Sequence, residues 1–396
     1  MESTTPCLRP TWVEIDLDAI YHNVKELSKL LHKGVGLLAV VKADAYGHGA
    51  PEVSKVALEG GAKYLGVAFL EEGIELRKAG IEAPILLMGY TPPHQMDLVL
   101  DYDLTPTVFS KDAARKFSHC AESRNMVLPV HVKVDTGMGR IGLLPWQAAG
   151  VIKDICQLPG VVVEGLMTHL ASADEGETTY TEEQLVSFHQ IIEQLEQEGI
   201  APPLIHAANS AGTVRFPGSH FNLVRPGLSI YGYLPSPVLR ELSRVYLKPA
   251  LHFKSRVVMV KTVPAGTYLS YGGTFCTSQE SLIATVPVGY ADGFSRFLSN
   301  RGWVLIGGKR APVVGRVCMD YLLADVTGVA GVEEGEEVVI YGNQARESIT
   351  AAEVAEDIGT IPYEVLCAVS KRVPRWFYRH GKIVAYSDLL GKKVLA

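Results

Sequence analysis

The sequence lacks long hydrophobic runs and a strong excess of either charge, and each absence excludes a class of protein. No apolar stretch approaches the roughly 18 residues that suggest a membrane span. The formal net charge of -6 is mild and there is no basic stripe, so neither nucleic-acid binding nor a polybasic membrane-surface segment is indicated. We therefore expect no nucleic-acid partner, no membrane association and a small-molecule substrate.

The sequence also lacks a regular cysteine pattern. The six cysteines include no C-x-x-C pair and no His/Cys cluster of metal-ligand spacing. They are Cys7, Cys120, Cys156, Cys276, Cys318 and Cys367. The amino terminus carries an acid and a proline where a signal peptide needs basic residues followed by an apolar stretch. These features predict free thiols, a cytoplasmic location and no metal site.

The chain has 396 residues, 47% of them apolar, which suffices for a sizeable core and two domains. From about residue 37 to about 245, short β-rich runs alternate with segments of helical periodicity, which predicts βαβ units and a parallel sheet. The eight predicted strands are Leu37–Lys42, Tyr64–Ala68, Ile85–Met88, Leu104–Phe109, Val130–Asp135, Val161–Thr168, Leu204–Ala207 and Phe221–Val224. Polar residues follow the strand ends, which favours a (β/α)8 TIM barrel over an open doubly wound sheet.

After about residue 247 the pattern changes to β-runs separated by glycine-containing turns. We therefore predict an α/β protein with a TIM-barrel domain at residues 1–246 and a mostly-β domain at residues 247–396. One helix, Ala351–Ile358, follows a Ser-x-Thr sequence typical of helix starts. The amino-terminal run 11–17 alternates apolar and polar residues, unlike the barrel strands, so it is a candidate to pair with the second domain.

A lysine ends the first predicted barrel strand, in AVVKADAYGHG. Lysine is rare at the end of a buried parallel strand unless it has a partner or a task. The amine of Lys42, once desolvated, can attack a carbonyl carbon or accept a proton, which suits Schiff-base chemistry. The alternative is a side chain that leaves the strand end and reaches water.

The segment from Lys133 to Arg140 holds two cations, an acid and two glycines directly after a predicted strand. Glycine lets the backbone approach a ligand closely, and Arg140 can form a bidentate pair with a carboxylate. The alternative is a structural turn closed by an ion pair between Asp135 and Arg140.

Small and polar residues follow other predicted strands. Ser210 and Gly227 come after the seventh and eighth strands, where barrels commonly bind phosphate, although a helix cap and a plain turn are simpler interpretations. His169 and His206 are each compatible with a core histidine. Tyr271 lies beside two glycines, where a tyrosine usually packs at a surface; as a base it would need cationic or hydrogen-bonding support, because its free pKa is about 10.

Taken together, these segments resemble the alanine racemase family, which uses pyridoxal 5'-phosphate, through nearly the whole chain and in the same order. The matching motifs are AVVKADAYGHG, VKVDTGMGRIG, GLMTHLASAD, HAANSAG, VRPGLSIYG, SYGGTF, PVGYADGF, GRVCMD, TIPYEV and RVPR. The resemblance implies an isomerase that interconverts L-alanine and D-alanine by a two-base mechanism and supplies D-alanine for peptidoglycan. It also implies a TIM barrel, a β-rich second domain and a homodimer whose active sites each take residues from the partner's second domain.

The resemblance also implies roles for individual residues. Lys42 would hold the cofactor covalently and act as the base on the D-alanine face, and Tyr271 of the other subunit would be the base on the L-alanine face. Arg225 would meet the pyridine nitrogen, and His169 would lie close to Tyr271 and Arg225. The implied cofactor-binding residues are Lys42, Tyr46, His169, Ser210, Arg225, Gly227, Leu228 and Tyr363.

For the substrate, the resemblance implies that Arg140 and the backbone of Met319 position the carboxylate. Tyr290 would exclude larger side chains at the entrance together with Tyr363. Lys133 matches a position that is carbamylated in some members of the family, where the new anion steadies Arg140.

Two other functions stay open. The sequence departs from the usual residues of the family at Tyr321 and Ala368, which bears on substrate range. A broader amino-acid racemase or a lyase can use the same carbanion, because a fold does not determine the fate of that carbanion once Cα has lost its proton. A non-catalytic pyridoxal-phosphate carrier is the third hypothesis, although barrel proteins of that kind lack the second domain.

Overall fold

The structure, a computed structural model, describes residues 9–394. These residues divide into two compact units: residues 20–248 form the barrel unit, and residues 9–19 with 249–394 form the β-rich unit. None of the helices between residues 9 and 394 is long and apolar enough to cross a membrane. Five cysteines are free thiols, and Cys7 lies outside the described residues.

The barrel unit contains eight parallel strands, which neighbour one another in chain order. Strand β1 (Thr11–Asp16) precedes them and belongs to the β-rich unit. The barrel strands are β2 (Gly36–Val40), β3 (Tyr64–Val67), β4 (Ile85–Leu87), β5 (Thr105–Val108), β6 (Leu128–Lys133), β7 (Val161–Met167), β8 (Leu204–His206) and β9 (Leu223–Val224). The eight predicted strands are confirmed, with ends shifted by a few residues.

The first and last strands close the barrel. Strand β9 pairs in parallel with β2. The N–H groups of Asn222 and Arg225 donate to the carbonyls of Ile205 and Ala208, at 3.3 and 2.9 Å, and so join β9 to β8. The predicted (β/α)8 TIM barrel is therefore confirmed.

Helices alternate with the barrel strands and cover the outside of the sheet, so the strands are buried on both faces and are almost wholly apolar. The helices of this part of the chain are α1 (Leu17–Ser28), α2 (Lys42–Gly47), α3 (Ala50–Glu59), α4 (Leu70–Lys78), α5 (Met96–Asp101), α6 (Lys111–Ser123), α7 (Pro145–Cys156), α8 (Thr179–Gln197), α9 (Ser210–Arg215) and α10 (Pro237–Leu242). The longest, α8, buries Phe188, Ile192 and Leu195, which recur at helical spacing.

The β-rich unit is built around a nine-stranded sheet. Its strands are β10 (Leu251–Arg256), β11 (Met259–Val263), β12 (Tyr268–Leu269), β13 (Phe275–Cys276), β14 (Ser281–Val286), β15 (Trp303–Ile306), β16 (Lys309–Pro312), β17 (Leu322–Asp325), β18 (Glu337–Gln344), β19 (Glu347–Ile349), β20 (Arg375–Arg379), β21 (Lys382–Asp388) and β22 (Gly391–Val394). The order in the large sheet is β16-β15-β18-β10-β1-β20-β21-β22, with β19 beside β18, and β11-β14-β17 form a three-stranded sheet.

Two helices complete this unit, α11 (Ala351–Ile358) and α12 (Pro362–Cys367). The predicted start of α11 is confirmed, because the Thr350 hydroxyl accepts the Glu353 N–H at 3.1 Å.

Three features of the β-rich unit differ from the sequence prediction or extend it. The predicted first domain began at residue 1, but β1 lies in the large sheet between β10 and β20. The sequence predicts one continuous β-run over residues 255–263, but this segment spans two strands, because the chain leaves the large sheet after β10 and enters the three-stranded sheet at β11. The sequence pattern does not predict β20 to β22 or α12.

Candidate active site

A cavity of about 170 Å³ opens among the residues that follow the carboxyl ends of the barrel strands. Four of its lining side chains are cationic: Lys42, Lys133, Arg140 and Arg225. The remaining lining residues are Ala68, Met88, Gly89, Ile141, Met167, Thr168 and His169. The structure therefore brings together five predicted site residues, the four cations and His169, at the end of the barrel where enzymes of this fold carry their active sites.

Lys42 reaches the cavity from a backbone turn of unusual handedness. Strand β2 ends at Val40, so Lys42 is not the last residue of the strand, contrary to the prediction. It opens α2, in which the four residues from Ala43 to Tyr46 have φ between 53° and 54°. Left-handed backbone costs about 1–2 kcal/mol per non-glycine residue.

Two carboxylates hold this left-handed turn in place. The Ala43 N–H donates to the Glu72 carboxylate at 2.7 Å, and the Asp44 carboxylate accepts the Ala50 N–H at 2.8 Å. Hydrogen bonds to charged groups are stronger than neutral ones, so these contacts offset part of the cost of the turn. The turn therefore fixes the direction in which Lys42 leaves the barrel strand.

Lys133 ends β6 and is only 5% exposed. Burial, and then the charges of Arg225 and Arg140, lower the pKa of its amine to about 8. An amine with this pKa is still mostly cationic at neutral pH, but its neutral fraction of about a tenth is far larger than that of a free lysine, so Lys133 can act as a nucleophile.

The loop from Lys133 to Arg140 is closed by hydrogen bonds rather than by the ion pair that the sequence left open. The Asp135 carboxylate accepts the N–H groups of Gly137, Gly139 and Arg140 at 3.1, 2.9 and 2.9 Å. Burial by itself would raise the pKa of Asp135, but these backbone donors and the nearby Lys133 lower it. Since the backbone satisfies Asp135, the Arg140 guanidinium is left to line the cavity.

Arg225 is buried, and its contacts leave donors unused. Its Nη2 donates to the carbonyls of Thr168 and Ala207 at 2.7 and 3.0 Å, and its Nη1 donates to Nδ1 of His206 at 2.8 Å. The Nε–H and one Nη1–H have no acceptor in residues 9–394. Burial lowers the pKa of Arg225 to about 10, so the group stays cationic at neutral pH. A buried guanidinium with unused donors beside a cavity is suited to an acceptor atom on a ligand.

His169 lies in the wall of the cavity and is half-buried, so it is not the core histidine that the sequence left open. Its Nδ1 is 3.5 Å from Nη2 of Arg225. Burial, and then the charges of Arg225 and Lys133, lower the pKa of His169 well below 6.5. The ring is therefore neutral at neutral pH.

The four other predicted cofactor-binding residues of the barrel form a second cluster. The Ser210 hydroxyl accepts the N–H groups of Gly227 and Ser229 at 2.9 and 3.3 Å. The cap of α9 is Asn209, so the helix-cap interpretation of Ser210 is wrong. A Cβ on Gly227 would lie 2.5 Å from Oη of Tyr46, so only glycine fits there. Leu228 follows directly and is buried.

Three other predicted site residues lie together on the β-rich unit, on what we call the tyrosine surface, formed by Tyr271, Tyr290 and Met319. All three are exposed, Tyr271 by 70%. Ser270, with a left-handed φ of 62°, has its hydroxyl 3.6 Å from Sγ of Cys318. The Tyr290 N–H donates to the Cys318 carbonyl at 3.0 Å. These contacts bring the three segments to one face of the unit.

Tyr363 lies at the start of α12 and is half-buried. Its neighbours Glu364 and Val365 line a cavity of about 400 Å³ together with Tyr290. The structure thus brings the two predicted entrance tyrosines into the same part of the β-rich unit.

Sequence reasoning missed the residues behind Arg225. The sequence is compatible with His206 as a core histidine. The ring is indeed fully buried, but it also contacts Arg225 directly. His131 contacts His206 in turn, with 2.9 Å between Nδ1 and Nε2. The signal that could have found His131 is its spacing of two residues from Lys133, which puts both side chains on one face of β6.

Comparison with known proteins gives the same family over both units. Residues 15–235 match the family model "Alanine racemase, N-terminal domain", and residues 250–377 match "Alanine racemase, C-terminal domain". The alanine racemase of Halothermothrix orenii is 47% identical over 367 residues, which cover 93% of this chain and 96% of the relative.

Solved structures agree. The alanine racemase of Bacillus anthracis, solved with bound L-Ala-P, has a TM-score of 0.92 and 42% identity, and the match covers 97% of this chain and 99% of that one. The alanine racemase of Bartonella henselae, with covalently bound pyridoxal phosphate, has a TM-score of 0.82 and 28% identity over 93% of this chain and 99% of that one. The resemblance found in the sequence is confirmed, and the chain belongs to the alanine racemase family.

Proposed function

We propose that this protein is an isomerase that interconverts L-alanine and D-alanine with pyridoxal 5'-phosphate. The observation that carries the proposal is the cavity at the carboxyl end of the barrel, where the Lys42 amine and the unused donors of Arg225 line the same space. The family membership supports the substrate, because relatives at 47% and 44% identity are named alanine racemase.

The barrel residues suit this cofactor. When bound, pyridoxal phosphate supplies an aldehyde for amines and an electron-withdrawing ring that stabilises a carbanion at Cα. Lys42 offers the amine for covalent attachment, and Arg225 offers N–H donors to the ring nitrogen. Because a guanidinium stays protonated, Arg225 would leave that nitrogen unprotonated. The relative from Bartonella henselae carries the cofactor covalently.

The second cluster suits the phosphate end of the cofactor. Tyr46, Ser210, Gly227 and Leu228 would hold the phosphate together with Tyr363. The side-chain-free Gly227 and the hydroxyl groups of the cluster support this assignment, since phosphate oxygens accept hydrogen bonds from backbone N–H and hydroxyl groups. The Ser210 hydroxyl oxygen accepts the Gly227 N–H, so the hydroxyl proton can be donated to a phosphate oxygen.

Inversion at Cα needs two bases, because a proton removed from one face must return on the other. Lys42 would serve on the D-alanine face, and the partner subunit's Tyr271 would serve on the L-alanine face of a homodimer. The exposure of Tyr271 supports an encounter with a second copy of the chain. A tyrosine has a free pKa of about 10, so the cations of the cavity and the neutral His169 would supply the support that a tyrosine base needs.

The substrate carboxylate would bind Arg140 and the backbone of Met319. The loop geometry supports Arg140, because Asp135 is satisfied by backbone N–H groups. Tyr290 and Tyr363 would limit the side chain to a small one.

Lys133 would carry a carbamate. The ammonium group first loses a proton. The neutral amine then adds to carbon dioxide, a C–N bond forms and a second proton is released, so over both steps a cation becomes an anion. An anion here would balance a cavity that otherwise holds four cationic side chains and would steady Arg140. The lowered pKa of Lys133, about 8, supports its reactivity.

In the cell this activity would supply D-alanine for peptidoglycan, in the cytoplasm.

The decisive experiment gives L-alanine in deuterated water to purified protein loaded with pyridoxal phosphate and follows both isomers by chiral analysis. We expect an equal mixture of isomers with deuterium at Cα. Deuterium uptake without inversion, or release of ammonia and pyruvate faster than inversion, would move the assignment to a lyase. A cofactor-loaded protein without any exchange would point to a carrier.

A further inference from the structure

A line of four side chains runs from Arg225 through the barrel core to its surface. Nη1 of Arg225 is 2.8 Å from Nδ1 of His206, and Nε2 of His206 is 2.9 Å from Nδ1 of His131. Nε2 of His131 is 3.3 Å from the Glu164 carboxylate. The two imidazoles are at most 1% exposed, whereas the Glu164 side chain is 32% exposed. We call these residues the buried relay; only Arg225 lines the cavity.

The protons of the buried relay can be arranged in only one way. Arginine has donors and no acceptor, so Nδ1 of His206 must be unprotonated. The proton of the neutral His206 ring is then on Nε2 and is donated to Nδ1 of His131. His131 in turn carries its proton on Nε2 and donates it to Glu164. A doubly protonated His206 would direct an N–H at the N–H of Arg225, which the geometry excludes.

The electrostatics agree with this arrangement. Burial, and then the charges of Arg225 and His131, lower the pKa of His206 well below its ordinary value. Burial also lowers the pKa of His131, although the hydrogen bond and charge of Glu164 act in the opposite direction. Both rings are therefore neutral at neutral pH. Arg225 has no carboxylate contact within residues 9–394, so Glu164 is the anion that terminates its hydrogen bonds.

The backbone is shaped to admit the His131 ring. His131 on β6 pairs with Gly165 on β7, next to Glu164, at a register shift. A Cβ on residue 165 would lie 2.5 Å from Nδ1 of His131, closer than Cβ atoms approach in real proteins. A glycine at this position is therefore required for the ring to reach His206. The shifted register and the glycine thus accompany an imidazole at a position where barrel cores usually hold branched aliphatic side chains.

We propose that His131 and Glu164 are positioning residues that orient the Arg225 guanidinium toward the ring nitrogen of the cofactor, an inference that rests on the proposed function. The Glu164 anion polarises His131 and through it His206, so Nδ1 of His206 becomes a stronger acceptor for Arg225. This acceptor and the carbonyls of Thr168 and Ala207 occupy three donors of the guanidinium. Two donors remain for a ligand in the cavity that Arg225 lines.

The proton arrangement can be tested without cofactor. In protein labelled with ¹⁵N at its histidines, we expect the His131 and His206 rings to be neutral and protonated on Nε2 at neutral pH. The His131 resonances would be identified by their loss in His131→Asn, and the His206 resonances by their shift in the same variant. A ring protonated on Nδ1, or a charged ring, at either position would overturn the inference and leave the proposed function untouched.

The positioning role is tested with ¹⁵N-labelled pyridoxal phosphate bound to the full-length protein. Glu164→Gln removes the charge and keeps the shape at a partly exposed position, so this variant should fold. We expect it to shift the resonance of the cofactor's ring nitrogen, whereas Glu193→Gln on the exposed face of α8 should leave it at the wild-type position. A second pair separates positioning from packing: His131→Phe should shift the resonance, and His131→Asn, whose amide oxygen can accept the His206 N–H, should partly restore it.

Two outcomes are distinguishable. If the wild-type protein takes up the cofactor and Glu164→Gln leaves the ring-nitrogen resonance unchanged, the positioning role is overturned and the proposed function stands. If the wild-type protein takes up no cofactor at all, the proposed function fails, and the positioning role fails with it.

Discussion

The barrel cavity and the tyrosine surface, which belong to different units of the chain, differ in how deeply their side chains are buried. In the barrel cavity, Lys133 and Arg225 are buried, and carbonyls and a histidine hold Arg225. On the tyrosine surface, Tyr271 is exposed by 70%. Among the residues that the structure describes, those lining the cavity include no tyrosine. Under the proposed function, Lys42 of the cavity and Tyr271 of a second copy of the chain are the two bases, and Tyr271 gains a buried environment only when another surface covers it.

Lys42→Ala removes the amine of Lys42 from the barrel cavity and should have the largest effect on activity. We expect racemisation to fall by about 10³-fold or more, because the change removes both the covalent attachment of the cofactor and one of the two bases. Borohydride reduction should fix the cofactor on Lys42 of the wild type, and mass spectrometry should find it on the peptide that contains residue 42. The same peptide of the variant should carry no cofactor.

Lys33→Ala is the matched control, because Lys33 is exposed and lies after α1 in the same unit. It should keep both activity and the labelled peptide. Full racemisation by Lys42→Ala, or cofactor trapped on another lysine in the wild type, would remove the central assignment.

Tyr271→Phe tests whether the tyrosine surface supplies the base for L-alanine. We expect proton removal from L-alanine to slow by about 10²–10⁴-fold, which is the usual contribution of a positioned general base to the rate. Exchange at Cα of D-alanine should be much less affected, because Lys42 still removes that proton, exchanges it with solvent and returns a deuteron to the same face. The measurement is the initial rate of deuterium uptake from each isomer.

Tyr268→Phe supplies the control for the exposed side. Tyr268 lies three positions before Tyr271 and is equally exposed, at 72%. The Tyr268→Phe variant should exchange the Cα proton of both isomers at the wild-type rate. Equal losses from L-alanine and D-alanine in Tyr271→Phe would contradict the assignment of the two bases to opposite faces.

The two regions also differ in what the sequence could reveal. The barrel strands were predictable because parallel strands buried on both faces are short apolar runs, and a polar residue just past such a run, as with His169, indicates the active-site end. The tyrosine surface had no such pattern. Tyr271, Tyr290 and Met319 come from turns, so only the resemblance to a family identified them.

The features of the barrel that the sequence could not reveal depend on contacts between distant residues. The left-handed turn after β2 has no basis in local preference, since neither Ala43 nor Ala45 favours positive φ. Contacts with the side chain of Glu72 hold it. His206 and His131 are likewise recognisable as partners of Arg225 only once β6, β8 and β9 are side by side.

The smallest expected effect is that of Gly227→Ala in the second cluster, which the proposed function assigns to the phosphate of the cofactor. The new Cβ would lie 2.5 Å from Oη and 3.2 Å from Cζ of Tyr46, so the tyrosine ring or the loop must shift. Overpacking of this kind typically costs about 1–3 kcal/mol, and we expect roughly tenfold weaker cofactor binding, as measured by titration of the cofactor-free protein. Gly218→Ala, where a Cβ meets no atom within 4 Å, is the control and should bind normally. Because the change leaves the exposed tyrosine surface untouched, the ratio of exchange from L-alanine and D-alanine at saturating cofactor should stay at the wild-type value. A changed ratio would mean that the second cluster affects proton removal by the two bases as well as cofactor binding.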